Sequence, residues 1–166
     1  MTLTMTTIVD SPIGKLRLAA EDGVLTGLYM DGARHGPIGE EAWIEDDSPF
    51  EEVAAQLEAY FAGERTTFDI PLRSSGTKFQ QQVWAGLLEI PYAETWSYGQ
   101  LANRVGNPKA SRAVGLANGR NPISIIVPCH RVIGANGSLT GYGGGLDRKA
   151  WLLQHEQRHA ANHRGG

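Results

Sequence analysis

A mixed α/β fold (α+β) is predicted: a small antiparallel sheet with one helix at the N-terminal end, joined to a mostly helical C-terminal half. Three observations predict it. Short apolar segments separated by turn residues fill roughly the first 30 positions. Beyond residue 76 the apolar spacing changes to three and four, and Thr77 with Gln80 and Ser97 with Gln100 read as capping boxes that open helices. Charge is also unevenly divided: residues 1–95 carry 16 acidic and 6 Lys or Arg side chains, whereas 96–166 carry 2 and 9.

In chain order, Thr6 to Asp10, Lys15 to Ala20 and Val24 to Met30 read as strands of an antiparallel meander. Ser11-Pro12-Ile13-Gly14 and Asp22-Gly23 between them are turn chemistry. Asp31 to Pro49 is acidic and rich in Gly and Pro, which predicts a surface loop. Ser48-Pro49 is a helix start with proline at the first helical position, and Val53, Leu57, Tyr60 and Phe61 fall at helical spacing until Gly63. Phe68 to Leu72 is expected to complete the sheet as a further strand. Nothing in this part has the spacing of a catalytic site, so it reads as a scaffold.

Arg73-Ser74-Ser75-Gly76 is the expected linker, which divides the chain into residues 1–75 and 76–166. Phe79, Val83, Trp84, Leu87 and Leu88 give the apolar stripe of a helix running to Glu89. A second helix spans Tyr98 to Val105 and closes at Gly106. Asn107-Pro108 is expected to cap a third, Lys109 to about Asn118, after a turn short enough to predict a helix-turn-helix. That third helix carries Ala110, Ser111, Ala113, Gly115 and Ala117, with Arg112 as the one long cation in its middle. Small side chains permit close approach either to another helix or to a nucleic-acid groove, and the residues alone leave both open.

The stretch Asn121 to Arg131 organises the rest. Ile123 to Val127 is an apolar run between Pro122 and Pro128, read as a short buried strand or extended segment, and it delivers the only cysteine, Cys129, followed by His130 and Arg131. A thiol is a weak nucleophile at its free pKa of about 8.5, and a neighbouring imidazole or guanidinium stabilises its thiolate. The plainer reading is a buried structural cysteine, since free cysteine packs as a small hydrophobe. Gly141-Tyr142-Gly143-Gly144-Gly145 lacks the Lys-Ser/Thr of a phosphate-binding loop, which excludes nucleotide binding on that basis. Asp147 can cap a last helix whose Leu152, Leu153 and Glu156 share a face, so Glu156 is expected to point inward and to need a partner.

Composition sets further bounds. With 166 residues and 41% hydrophobic content, the chain can bury one good core or two small ones, and no run approaches the roughly 18 apolar residues of a membrane span. No basic start followed by an apolar stretch opens it, and one cysteine excludes an internal disulfide framework, so a cytoplasmic, reducing setting is expected. The one Cys and five His have no zinc spacing, and no metal is implied. The halves have net charges of −10 and +7, so a polyanion is drawn to the second and repelled by the first, a field that would orient the protein on DNA or RNA. A charge difference without a ligand role is the alternative.

Pro128-Cys129-His130-Arg131-Val132 resembles the active-site signature of the O6-alkylguanine-DNA alkyltransferases. The resemblance runs from about Tyr92 to Glu156, through Ser97-Tyr98, Asn107-Pro108, Arg112-Ala113-Val114-Gly115, Asn121-Pro122, Gly141-Tyr142 and Leu152-Leu153-Gln154-His155-Glu156. It implies direct-reversal DNA repair, in which Cys129 takes the alkyl group from O6-alkylguanine, and from O4-alkylthymine, in a single turnover without a cofactor. By the same resemblance His130 is the base through a water, Glu156 orients it, Tyr98 donates to the leaving guanine, and Asn121 braces the recognition helix against the active-site segment. That helix would enter the minor groove of double-stranded DNA with Lys109, Ser111, Ala113 and Gly115, while Arg112 replaces the flipped nucleotide. Val127, Pro128, Tyr142, Gly143 and Asn118 would line the base pocket. A monomer is expected, cooperative binding along DNA being left open. Three alternatives stand beside this reading: a non-catalytic alkylguanine-binding module, a Cys-His-Glu hydrolase, and a plain helix-turn-helix regulator.

Overall fold

The computed structural model describes residues 3–32, 36, 37 and 39–161. Positions 33–35 and 38 of the expected acidic loop, and the two chain ends, lie outside the described residues. β1 (Met5–Val9), β2 (Leu16–Glu21) and β3 (Val24–Met30) form the antiparallel meander. Asp22 and Gly23, at φ 53° and 78°, supply the two left-handed residues of a tight hairpin, a conformation that favours this dipeptide. The acidic stretch is not all loop: β4 (Ile44–Glu45) pairs parallel with β1, and the sheet order is β3-β2-β1-β4.

Phe68 to Leu72 does not form the expected strand. It meets β3 through a single bridge, with Leu25 N donating to Pro71 O at 3.0 Å and Arg73 N to Leu25 O at 3.0 Å. Pro71 has no N–H to extend the ladder. A 3-10 turn, Ser48–Phe50, with proline in its first positions leads into α1 (Glu51–Phe61), whose inner face buries Val53, Leu57 and Tyr60 against the sheet.

Both predicted capping boxes are present. Thr77 and Gln80 open α2 (Lys78–Leu87), while Ser97 and Gln100 open α3 (Tyr98–Arg104) directly after β5 (Trp96–Ser97). The third helix, α4 (Ser111–Gly119), starts two residues later than expected. Ala110 N donates to Asn107 O at 3.0 Å, so Asn107-Pro108 closes a turn rather than capping the helix, and Lys109 belongs to that turn. Trp84 Nε1 donates to Ala117 O at 2.8 Å and pins α2 to α4. β6 (Val132–Ile133) pairs parallel with β5, and α5 (Leu146–Ala160) ends the described chain. Gly145, not Asp147, occupies its N-cap.

The two halves meet at the free edge of β3. Leu28 N donates to Pro122 O at 2.9 Å and Ser124 N to Leu28 O at 3.2 Å, so the sheet holds the segment before Cys129 by its backbone. One apolar cluster then runs from Leu16, Leu18 and Leu28 through Ile123 and Ile125 to Val83, Leu101 and Val114. Among the described residues no helix is long and apolar enough to cross a membrane.

Candidate active site

The run Ile123 to Val127 is not the extended segment that its apolar composition predicts. It coils through tight turns: Ile126 N donates to Ser124 O at 2.8 Å, Val127 N to Ile123 O at 3.0 Å, and Ile125 sits at φ 72°. Positive φ on a β-branched residue is strained and persists only where surrounding contacts impose it. Asn121 imposes it here. Its Nδ2 donates to Val127 O at 2.8 Å and its Oδ1 accepts from Ile123 N at 3.0 Å, taking backbone groups that a strand would have paired in a ladder. The Asn121 side chain thus bonds to the turn itself, and it is its backbone N–H that meets the end of α4, at Asn118 O, 3.3 Å away.

That turn feeds a 3-10 segment, Cys129–Arg131, in which all three side chains are buried. Cys129 and Arg131 nevertheless meet different partners. The expectation that Arg131 steadies the thiolate fails because its guanidinium is committed elsewhere. Its Nε and Nη2 instead donate to Glu156 Oε1 and Oε2 at 2.9 and 3.0 Å, and Nη1 donates to Ile90 O at 2.7 Å. Tyr60 Oη of α1 adds a hydrogen bond to Glu156 Oε2 at 2.6 Å, and Ala93 N one to Oε1 at 3.2 Å. Burial alone would raise the Glu156 carboxyl, but His130 and the permanently charged Arg131 more than reverse this and hold it well below the usual carboxylate range.

His130 Nε2 lies 2.7 Å from Glu156 Oε2. An ionised carboxylate only accepts, so Nε2 carries the proton and Nδ1 keeps its lone pair. Nδ1 is buried and has no hydrogen-bond partner among the described residues. Burial lowers the imidazole pKa more than Glu156 restores it, leaving His130 neutral at neutral pH. The Cys129 side is the mirror of this. The residue is 4% exposed, and burial pushes its thiol up against the opposing pull of an Asn121 hydrogen bond and the Lys149 ammonium. Lys149 was not foreseen. It is fully buried on α5, donates Nζ to Thr140 O at 2.7 Å, and is brought down to about 8 by burial, with Cys129 opposing the fall.

Cys129 opens on a narrow cleft lined by Asn118, Asn121, Ser124, Tyr142 and Gly143. Its interior is about 20 Å³, on the order of one water. Asn118, Tyr142 and Gly143 thus stand where the pocket was predicted, but Val127 and Pro128 do not. Val127 packs in the core and Pro128 lines a separate groove with Tyr92 and Arg131, because the coiled run presents only Ser124 and Cys129 to the cleft. Tyr29 and Met30, at the end of β3, also line the cleft, so the sheet is more than a scaffold. Only the long-range pairing of Leu28 with the Ile123 segment brings them there, and local pattern carries no signal of it.

Tyr98 lies outside the cleft. Its ring packs within 4 Å of where a side chain at Gly115 would begin, and its hydroxyl donates to Thr140 O at 3.1 Å, at the start of the glycine loop. On α4, Arg112 and Ala113 are exposed while Ser111 and Gly115 are partly buried, and Lys109 is exposed before the helix. Leu116 is 70% exposed one turn after the exposed Arg112, which places both along one side of α4, and the exposed Arg120 follows at the C-cap. The i, i+4, i+8 spacing was legible, but exposure of a leucine there was not.

Comparison with known proteins agrees over nearly the whole chain. Residues 4–74 match the family model described as 6-O-methylguanine DNA methyltransferase, ribonuclease-like domain, and residues 78–158 match that family's DNA binding domain. A methylated-DNA–protein-cysteine methyltransferase of Mycolicibacterium paratuberculosis is 58% identical over 152 residues, covering 92% of each chain. One from Methanosarcina acetivorans is 56% identical over 150 residues, covering 90% of this chain and 96% of its own. The crystal structure of Mycobacterium tuberculosis OGT in complex with DNA superposes with a TM-score of 0.90 at 55% identity, covering 93% of this chain and 94% of that one.

Proposed function

Since the chain belongs to the 6-O-methylguanine DNA methyltransferase family, we propose that Cys129 accepts the alkyl group, with His130 as base and Glu156 and Asn121 as positioning residues. The activity is DNA repair by alkyl transfer from DNA to a cysteine of the protein, and this chain has one cysteine. The observation that carries the assignment is that Glu156 holds His130 by Nε2 and leaves Nδ1 without a partner among the described residues, on the residue next to Cys129.

The steps follow from the geometry. Burial keeps the thiol protonated at neutral pH, so attack needs a base, and His130 Nδ1 takes the proton through a water. Sulfur then bonds to the alkyl carbon as the carbon–O6 bond breaks, its electron pair passing to the guanine. Tyr98 donates a proton to the departing base in this reading, which requires the Thr140–Tyr142 loop to release its hydroxyl. The imidazolium formed is stabilised by Glu156, while Lys149 steadies the thiolate from α5. A thioether has no good leaving group, so each molecule reacts once.

DNA is met through the face of α4 that bears Arg112, Ala113 and Leu116, flanked by Lys109 and Ser111 and backed by the net +7 of residues 96–166. We read this as a minor-groove contact by a monomer in the cytoplasm, with Arg112 filling the stack after the base leaves. We take residues 73–76, exposed except for the half-buried Ser74, as the linker between a sheet unit, 1–75, and a helical unit, 76–166. Arg112→Ala is expected to slow repair in duplex DNA about tenfold or more, since flipping costs a few kcal/mol. Its reaction with the free base O6-benzylguanine should be unchanged, and equal losses on both substrates would remove Arg112 from the flipping role.

The tight cleft has a consequence for the spent protein. An alkyl group on Cys129 must fit where the interior is about 20 Å³, and overpacking costs typically about 1–3 kcal/mol. The alkylated form should melt lower than the free form, by on the order of 5 °C. A side-by-side thermal melt checks it; an equal or higher Tm would show that the cleft accommodates the adduct.

A further inference from the structure

We propose that Asn118 recognises the exocyclic amino group of the damaged base and thereby makes this protein selective for O6-alkylguanine over O4-alkylthymine. The inference rests on the alkyl-transfer reading above. Asn118 sits near the end of α4, 1% exposed, and lines the cleft beside Cys129. Its Nδ2 donates to Cys129 O at 3.4 Å, whereas its Oδ1 is buried without a hydrogen-bond partner among the described residues. Turning the amide over would set Oδ1 against the Cys129 carbonyl, acceptor against acceptor, so the carbonyl fixes the orientation and leaves Oδ1 as the open group.

A buried acceptor without a donor is a cost that native structures rarely carry without a use for it. No donor among the described residues that line the cleft reaches Oδ1: Asn121 Nδ2 donates to Val127 O, the Tyr142 hydroxyl lies toward Met30 Sδ, and Ser124 bonds to Tyr142. What meets Oδ1 must therefore arrive with the ligand, and it must bring an N–H. Alkylation at O6 removes the N1 proton of guanine, so the 2-amino group is the only donor left on the pairing edge of O6-alkylguanine. Alkylation at O4 removes the N3 proton of thymine, and O4-alkylthymine has no donor on that edge at all. One base satisfies Asn118 and the other leaves it unpaired. A site built to hydrogen-bond a group rejects the analogue that lacks it more strongly than an apolar site can. The expectation that O4-alkylthymine is a further substrate is narrowed accordingly.

The test compares single-turnover transfer from O6-methylguanine, O6-methylhypoxanthine and O4-methylthymine in otherwise identical duplexes. O6-methylhypoxanthine differs from O6-methylguanine only in replacing the 2-amino group by hydrogen. The unaltered protein should prefer O6-methylguanine to O6-methylhypoxanthine by on the order of tenfold. In Asn118→Leu, similar in size but without polar atoms, the two rates should converge to within about twofold, and the disadvantage of O4-methylthymine should shrink by a similar factor. Asn118→Ser, whose hydroxyl can donate to Cys129 O and still accept from the 2-amino group, should keep part of the preference, which covers the case of a leucine variant that does not fold. Equal rates on the two purines in the unaltered protein, or an undiminished preference in Asn118→Leu, would overturn the proposal. No transfer from any of the three lesions would overturn the alkyl-transfer reading itself.

Discussion

Cys129→Ala should abolish alkyl transfer while leaving duplex DNA binding close to that of the unaltered protein. The thiol is 4% exposed at the bottom of the cleft, and the exposed face of α4 that carries Arg112 and Leu116 does not include it. Chemistry and groove contact are thus separable on this scaffold. Intact mass after incubation with O6-methylguanine DNA reads the first, showing one added methyl on the unaltered protein and none on the variant. Gel shift at fixed salt reads the second. Repair by the unaltered protein should stop at one lesion per molecule. Continued turnover would favour a hydrolase, binding without mass gain would favour a non-catalytic module, and joint loss of binding and transfer in Cys129→Ala would overturn the separation.

How much of this was legible depends on the range of the interaction. The capping boxes at Thr77 and Ser97 were legible because a helix N-terminus is satisfied within four residues of itself. The three-strand meander was legible for a similar reason, since its turns are two to six residues long. Ile123 to Val127 was misread because its composition suits a strand, while its conformation is set by Leu28, nearly a hundred residues earlier, and by the Asn121 side chain. Arg131 was assigned to the thiolate by adjacency, whereas its guanidinium is taken by Glu156 and Ile90, 25 and 41 residues away in sequence. Glu156 was expected to point inward from the spacing of α5, yet the spacing could not say that Tyr60, 96 residues away, would share it. Lys149 was invisible because a lysine on a terminal helix is ordinarily a solvated residue.

Glu156→Gln should be the most destabilising single change at this site, and its effect should depend on pH. The glutamine keeps the shape of the carboxylate but leaves Arg131, 6% exposed, without its counter-charge. Breaking a buried pair in this way costs typically about 3–5 kcal/mol, a large part of the roughly 5–15 kcal/mol that holds an ordinary domain together. Tm at pH 7 should fall by on the order of 10 °C. The carboxyl is held well below its unfolded value of about 4.3, so its contribution is present above that pH and is lost as pH falls toward the folded value. The gap in Tm between the two proteins should therefore be full at pH 6–7 and should narrow below about pH 4, as the unaltered protein gives up what the variant never had. Transfer should also slow at temperatures where the variant remains folded, because a neutral glutamine no longer supplies the charge that stabilises the imidazolium formed on His130. A Tm gap that stays constant from pH 7 to pH 3 would show that Glu156 stabilises the fold by packing and not by charge, and would remove the basis for its role in steadying the imidazolium.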